Sequence, residues 1–149
     1  MTTITAYRVR PLPAEVLATA ARSAGAEHTT AGGGEPLRCC LRDAHPGERL
    51  LLFAYELPTP DGPYRERGPV FAHAEPCDGP ADQGYPSDWR GRPQVLRAYD
   101  AGGRIHGATR VHDGTDPEAE IADIFTDPDV TEIHSRNVAY GCYMFRVTR

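Results

Sequence analysis

The closing stretch "TEIHSRNVAYGCYMFRVTR" (Thr131–Arg149) reads as two β-strands joined by a tight turn. Gly141 supplies the backbone freedom that such a turn needs. Along the first arm Glu132, His134 and Arg136 share one face, and Ile133, Ser135 and Asn137 share the other. Both faces therefore carry polar groups where a packed hairpin would carry aliphatic ones. If Asn137 pairs with Cys142 across a four-residue loop, His134 faces Phe145 and Arg136 faces Tyr143. If the loop has three residues, Arg136 faces Cys142 and His134 faces Met144. A slip of one residue exchanges the faces, and both registers stay open at this level.

Working back from this hairpin, "TDPEAEIADIFTDPD" is the clearest helix. Asp116 can cap it, Pro117 opens it, Glu118 and Glu120 suit its N-terminus, and Ile121, Ile124 and Phe125 form its apolar stripe. "QVLRAYDAGGRIHGATRVHDG" is a second hairpin turning at "DAGG". The segment "CDGPADQGYPSDWRGRP" is dense in Gly, Pro and Asp. It reads as irregular, either disordered or a cover over something. "LRCCLRDAHPGERLLLFAYELP" reads as two strands around "DAHPGE", with Leu50 to Ala54 apolar at consecutive positions, as in a strand covered on both faces. A loop from Pro58 to Pro69 leads to a short strand from Val70. Upstream, "TITAYRVRPLP" alternates as a first strand. Pro13 opens a helix through Val16, Leu17, Ala20 and Ala21 that Gly25 stops, and "AEHTTAGGGEP" is a flexible connector. The sum is two helices and about seven strands. The expectation is a single α+β domain over 1–149, with a largely antiparallel, hairpin-built sheet and two helices packed on it.

The totals narrow the function. The chain has 149 residues, with 21 acidic against 16 basic side chains. An acidic balance argues against nucleic-acid binding. No apolar run is long enough to span a bilayer, and the N-terminus lacks the build of a secretory signal, so a cytoplasmic protein without a membrane partner is expected. All 16 basic residues are Arg. Without lysine there is no side-chain Schiff base, and the guanidinium groups bind anions but are poor proton acceptors. No cofactor is expected: there is no dinucleotide fingerprint, and "AGGG" lacks a following Lys. The four cysteines, Cys39, Cys40, Cys77 and Cys142, show no CxxC spacing and read as free thiols. Cys39 and Cys40 would point to opposite faces of a strand and would bridge only under strain, and the lack of closely paired ligands argues against structural zinc.

Three clusters carry candidate chemistry. In the closing hairpin His134 would transfer a proton, Arg136 would hold an anion or polarised oxygen, Asn137 would orient substrate, and Cys142 would act as nucleophile or second acid. The structural alternative pairs His134 and Arg136 with Glu132 or with backbone carbonyls. In "GPYRERGPVFAH", two prolines stiffen the loop that carries Arg65, with Tyr64 as a phenolic donor. His73 reads as ordinary packing. In "LRAYDAGGRIH", an inward Arg97 beside Tyr99 needs a buried acceptor.

Together, "DAHPGERLLLFAYELPTPDGPYRERGPVFAH", "LRAYDAGGRIHGATRVHDG" and "IHSRNVAYGCYMFRV" resemble a family of small bacterial proteins catalogued only as a domain of unknown function. The resemblance runs from about the first helix to the end, through "PYRxxGP", "RAYD" and "HxRNxxxGCY". It implies a single-domain cytoplasmic bacterial protein and brings no agreed activity. The residues themselves point to a small enzyme doing metal-free acid–base chemistry of isomerase, lyase or cyclase type on an anionic or carbonyl-bearing metabolite, in specialised biosynthesis. His134, Cys142, Tyr64 and Tyr99 would be catalytic, and Arg65, Arg97, Arg136 and Asn137 would bind substrate. The alternative is a non-catalytic protein that grips a small anion. Exposed strand edges leave room for a homodimer, which nothing in the pattern requires.

Overall fold

Among the described residues, strand alternation and hairpin turns produce ten strands and two α-helices. They run in chain order as β1 (Arg8–Arg10), α1 (Ala14–Ala21), β2 (Glu27–Thr30), β3 (Pro36–Leu37), β4 (Arg42–Asp43), β5 (Arg49–Glu56), β6 (Arg67–His73), β7 (Gln94–Tyr99), β8 (Arg110–His112), α2 (Pro117–Ile124), β9 (Glu132–Asn137) and β10 (Tyr143–Thr148). The computed structural model describes residues 7–81 and 83–149. The N-terminal part of the expected first strand, and Asp82, lie outside them. The fold is α+β, but the expected sheet is two sheets of five strands, ordered β1-β10-β9-β7-β8 and β2-β5-β6-β3-β4. Every pairing is antiparallel except β3 with β6.

Each sheet buries an apolar face under one helix. Val16, Leu17 and Ala20 of α1 pack with Leu50, Leu51 and Phe53 of β5. Ile121 and Ile124 of α2 pack with Leu96, Ala98, Ile133, Phe145 and Val147 of the first sheet. Asp116 caps α2 as its sequence requires, accepting from the Ala119 N–H at 3.2 Å. Pro13 is the N-cap of α1 and not its first helical residue, and that helix ends at Ala21, ahead of Gly25.

Three expectations for the second sheet are corrected. "EHTT" is not a loop. It is the exposed edge strand β2, whose polar side chains hide its strand character from a hydrophobic pattern. β4 and β5 do not pair. β4 pairs with β3 instead, and Arg38–Leu41 form the turn between them, with the Leu41 N–H bonded to the Leu37 carbonyl at 2.9 Å. β6 starts at Arg67, ahead of Val70, and takes Pro69 into the strand opposite Ala54. The irregular segment Pro76–Pro93 proves to be a cover. Its Trp89 is fully buried, stacks on Phe145 at 6.0 Å and donates from Nε1 to Asp43 at 2.9 Å.

The closing hairpin has the four-residue loop: Asn137 N–H bonds the Cys142 carbonyl at 3.0 Å, and Arg136 pairs with Tyr143. Beyond that pair the register shifts at Met144, so His134 faces Arg146 and not Phe145. This bulge turns Phe145 and Val147 into the apolar core and leaves Tyr143 and Arg146 on the face of His134. That face looks towards the second sheet. The Tyr55 and Tyr143 rings meet there at 5.7 Å, and the buried Arg38 donates from Nε to the Tyr143 carbonyl at 2.7 Å.

Candidate functional site

Strand pleating gathers His134, Arg136, Arg97 and Tyr99 on the inner face of the first sheet, where Arg97 pairs with His134 and Tyr99 with Glu132. His134 has no exposed surface. Its Nε2 lies 2.8 Å from Glu132 Oε2, which also accepts from Arg146 Nε at 2.7 Å. The short contact to a carboxylate places the imidazole proton on Nε2. Among the described residues that leaves Nδ1 as a buried lone pair without a partner, and the buried Tyr99 hydroxyl is likewise unpaired. Tyr99 lies 4.5 Å from the imidazole ring and Tyr143 meets it edge-on at 5.4 Å. Burial, opposed by Glu132, holds the His134 pKa below its ordinary value. Burial disfavours ionised Glu132, but His134 and Arg146 outweigh it and keep the carboxyl below its usual range. Arg97 and Arg136 both reach Glu66, at 2.6 and 2.9 Å. Guanidinium, carboxylate and imidazole thus answer one another, the structural alternative foreseen for His134 extended across the sheets.

The other four candidates lie apart from this ladder. Tyr64 is exposed on its loop. Arg65 is engaged by Glu56 at 3.1 Å and by Asp61. Asn137 shapes the hairpin turn, its Oδ1 accepting from the Tyr140 and Cys142 N–H groups at 3.1 and 3.3 Å. The Cys142 thiol is half-buried beside the Tyr140 carbonyl at 3.9 Å.

Beside the ladder opens a cleft of about 500 Å³ whose polar lining includes Arg10, Tyr55, Asp78, Tyr143 and Arg146. Among the described residues Arg10 bonds only through Nε, to Thr148 at 3.0 Å, and Arg146 only through Nε, to Glu132. Their terminal nitrogens remain available to a ligand. Burial pushes the phenols of Tyr55 and Tyr143 upward, so both stay protonated donors. Sequence reasoning missed these residues. The alternation of "YRVR" and "YMFRVT" placed arginines on strands, but only the Met144 bulge and the approach of β5 assemble them.

The cysteines depart from the expectation of opposed faces. Cys39 and Cys40 occupy a turn, not a strand, and their sulfurs are 4.0 Å apart on the same side. Cys77 and His73 join them, with all four ligand atoms within 4.8 Å of one another. The hydrogen bond with Cys40, outweighing burial, pulls the Cys39 thiol down to about 5, and the same contact pushes Cys40 up. His73-x-x-x-Cys77 was the available sequence signal. A more apolar groove of about 440 Å³, between α1 and β5, holds none of the eight candidates.

The family catalogued as "Protein of unknown function (DUF1203)" matches residues 34–149, and the chain belongs to it. The match begins well after α1, later than the resemblance implied. No curated protein and no solved structure matches the chain. No helix among the described residues is long and apolar enough to cross a membrane.

Proposed function

We propose that the protein binds a small anionic molecule in the cleft between Arg10, Tyr55, Tyr143 and Arg146. One observation carries this reading: among the described residues two guanidinium groups are held by their Nε atoms alone and line a cleft with two protonated phenols and one carboxylate residue, Asp78. A guanidinium fixed at one nitrogen keeps donors in place for a carboxylate or phosphate and loses little freedom on binding. Glu132 and His134 then act from behind, by orienting Arg146.

A catalytic version of the same site is the second reading, favoured by Tyr143, whose ring lines the cleft and touches His134. Tyr143 would exchange a proton with a bound enolate or carbonyl oxygen in a metal-free isomerase, lyase or cyclase step. His134, sealed from the cleft, would be a positioning residue.

Calorimetric titration with inorganic phosphate and with small mono- and dicarboxylates, at fixed ionic strength, tests the binding reading. Arg146→Gln and Arg10→Gln should each weaken the best anion at least about tenfold, or 1.4 kcal/mol. Saturation by none of the anions, or equal affinity in the double variant, overturns it. Tyr143→Phe keeps the ring and separates the versions: an enzyme loses turnover at near-constant affinity, whereas a binder has no turnover to lose.

A further inference from the structure

We propose that Cys39, Cys40, His73 and Cys77 form a four-coordinate site for a zinc-type divalent metal, which clips the Pro76–Pro93 cover onto the second sheet. The geometry matches the chemistry closely. Tetrahedral zinc with three thiolates and one imidazole sets sulfur–sulfur distances of about 3.8 Å and sulfur–nitrogen distances of about 3.6 Å. The Cys39 and Cys40 sulfurs are 4.0 Å apart and lie 3.6 and 3.8 Å from His73 Nδ1. The Cys77 sulfur completes the group, within 4.8 Å of the other three ligand atoms.

The surroundings are those a metal site requires. His73 Nε2 lies 2.7 Å from Glu48 Oε2, closer than the Arg42 guanidinium at 3.3 Å, so the proton sits on Nε2 and the Nδ1 lone pair faces the sulfurs. Arg42 holds Glu48 with two bonds of 2.9 Å. Backbone N–H groups of His73 and Gly79 point at the Cys39 and Cys77 sulfurs at 3.3 and 3.5 Å, which stabilises thiolates. Leu41, directly after the pair, holds φ at +55°, a strained value for a bulky side chain. This left-handed residue closes the turn that carries the two cysteines, its N–H bonded to the Leu37 carbonyl at 2.9 Å. A cleft of about 430 Å³, lined by Cys40, Glu48, His73 and Cys77, gives a metal its way in.

Four protein ligands leave no open position, so the role is structural. The three elements joined are the β3–β4 turn, the end of β6 and the start of the cover. Cys39 and Cys77 also line the anion cleft, so the metal would fix one of its walls. The assignment stands independently of what that cleft binds.

The test uses the reduced full-length chain, stripped with a chelator and titrated with Co2+ and then Zn2+. One equivalent of Co2+ should develop the thiolate charge-transfer and tetrahedral visible bands, and Zn2+ should bleach them and raise the melting temperature. Cys77→Ser should weaken Co2+ at least about a hundredfold, and Glu48→Gln, which removes no ligand, about tenfold. Cys142→Ser should bind as the unmodified chain does. Should Cys77→Ser fail to fold, the titration of the unmodified chain and of Glu48→Gln still decides. Absence of stoichiometric Co2+ and Zn2+ binding at micromolar concentration, or octahedral Co2+ without sulfur bands, overturns the site.

Discussion

Glu66 and Arg136 are separated by 70 residues, and their side chains meet at 2.9 Å across the two sheets. Arg97 reaches the same carboxylate, so two inward cations share one acid. Glu66 is 39% exposed, so water screens part of the attraction, while Arg136 is only 11% exposed. Glu66→Ala should therefore cost about 1–2 kcal/mol, between the values for surface and buried pairs. A double-mutant cycle with Arg136→Met, followed by urea unfolding, measures the coupling. A coupling below about 0.3 kcal/mol would show that the pair contributes nothing beyond additivity.

Arg38 should be among the most sensitive positions. It is buried, and it donates to the carbonyls of Tyr143 at 2.7 Å and Pro36 at 2.5 Å. Burial pulls its pKa down to about 10, so it remains a cation at neutral pH. Arg38→Met keeps the stem and strands both carbonyls, at a cost of about 2–3 kcal/mol. In a domain of this size that lowers Tm by roughly 4–12 °C, which calorimetry would register.

His134 should give stability a mildly acidic dependence. Its ring faces Glu132, Arg146, Arg136, Tyr99 and Tyr143, and burial holds its pKa below 6.5. In the fold it is neutral, whereas the unfolded chain takes up a proton near 6.5. The stabilising contribution is thus full above pH about 6.5. It falls as pH drops towards the folded pKa, by at most about 1.4 kcal/mol per pH unit. His134→Gln keeps a donor for Glu132 and removes the titration. Denaturant midpoints at pH 7.5, 6.5 and 5.5 should converge between the two proteins as pH falls, and parallel curves would refute the assignment.

Gly114 is the glycine where a side chain costs most. It has φ +87°, and an added Cβ would lie 2.5 Å from the Arg92 nitrogen and 2.6 Å from the Gly91 carbonyl carbon, both backbone. Gly114→Ala should cost about 3 kcal/mol or more, because the end of the cover must move. Gly34, at φ +90° with nothing within 4 Å, is the control. Gly34→Ala should cost only about 1–2 kcal/mol of left-handed strain. Equal losses in thermal melts would refute the close approach.

Hairpins were legible because their signals are local. The turn at Gly141, the "DAGG" turn and the Asp116-Pro117 cap each depend on a few adjacent residues, and each is realised. The exposed strand β2 was not legible, since no apolar alternation marks a solvent-facing edge. Nor was the partner of β4, because "DAHPGE" allows a turn without specifying which strand the chain meets next. In the site, pleating alone told which side chains share a face, but only packing turned the face of His134 and Arg97 inward, where Glu132 and Glu66 engage them and reduce the group free to meet a ligand.

The sequence by itself determined the class of fold, the α2 helix, the closing hairpin and the absence of lysine chemistry, all of which follow from periodicity and side-chain type. Only the tertiary structure decided that Met144 bulges, that Arg10 and Arg146 share a cleft, and that Cys39, Cys40, His73 and Cys77 converge. The reason is that cross-sheet neighbours are set by packing of distant strands, and a period of two residues carries no record of which surface lies opposite.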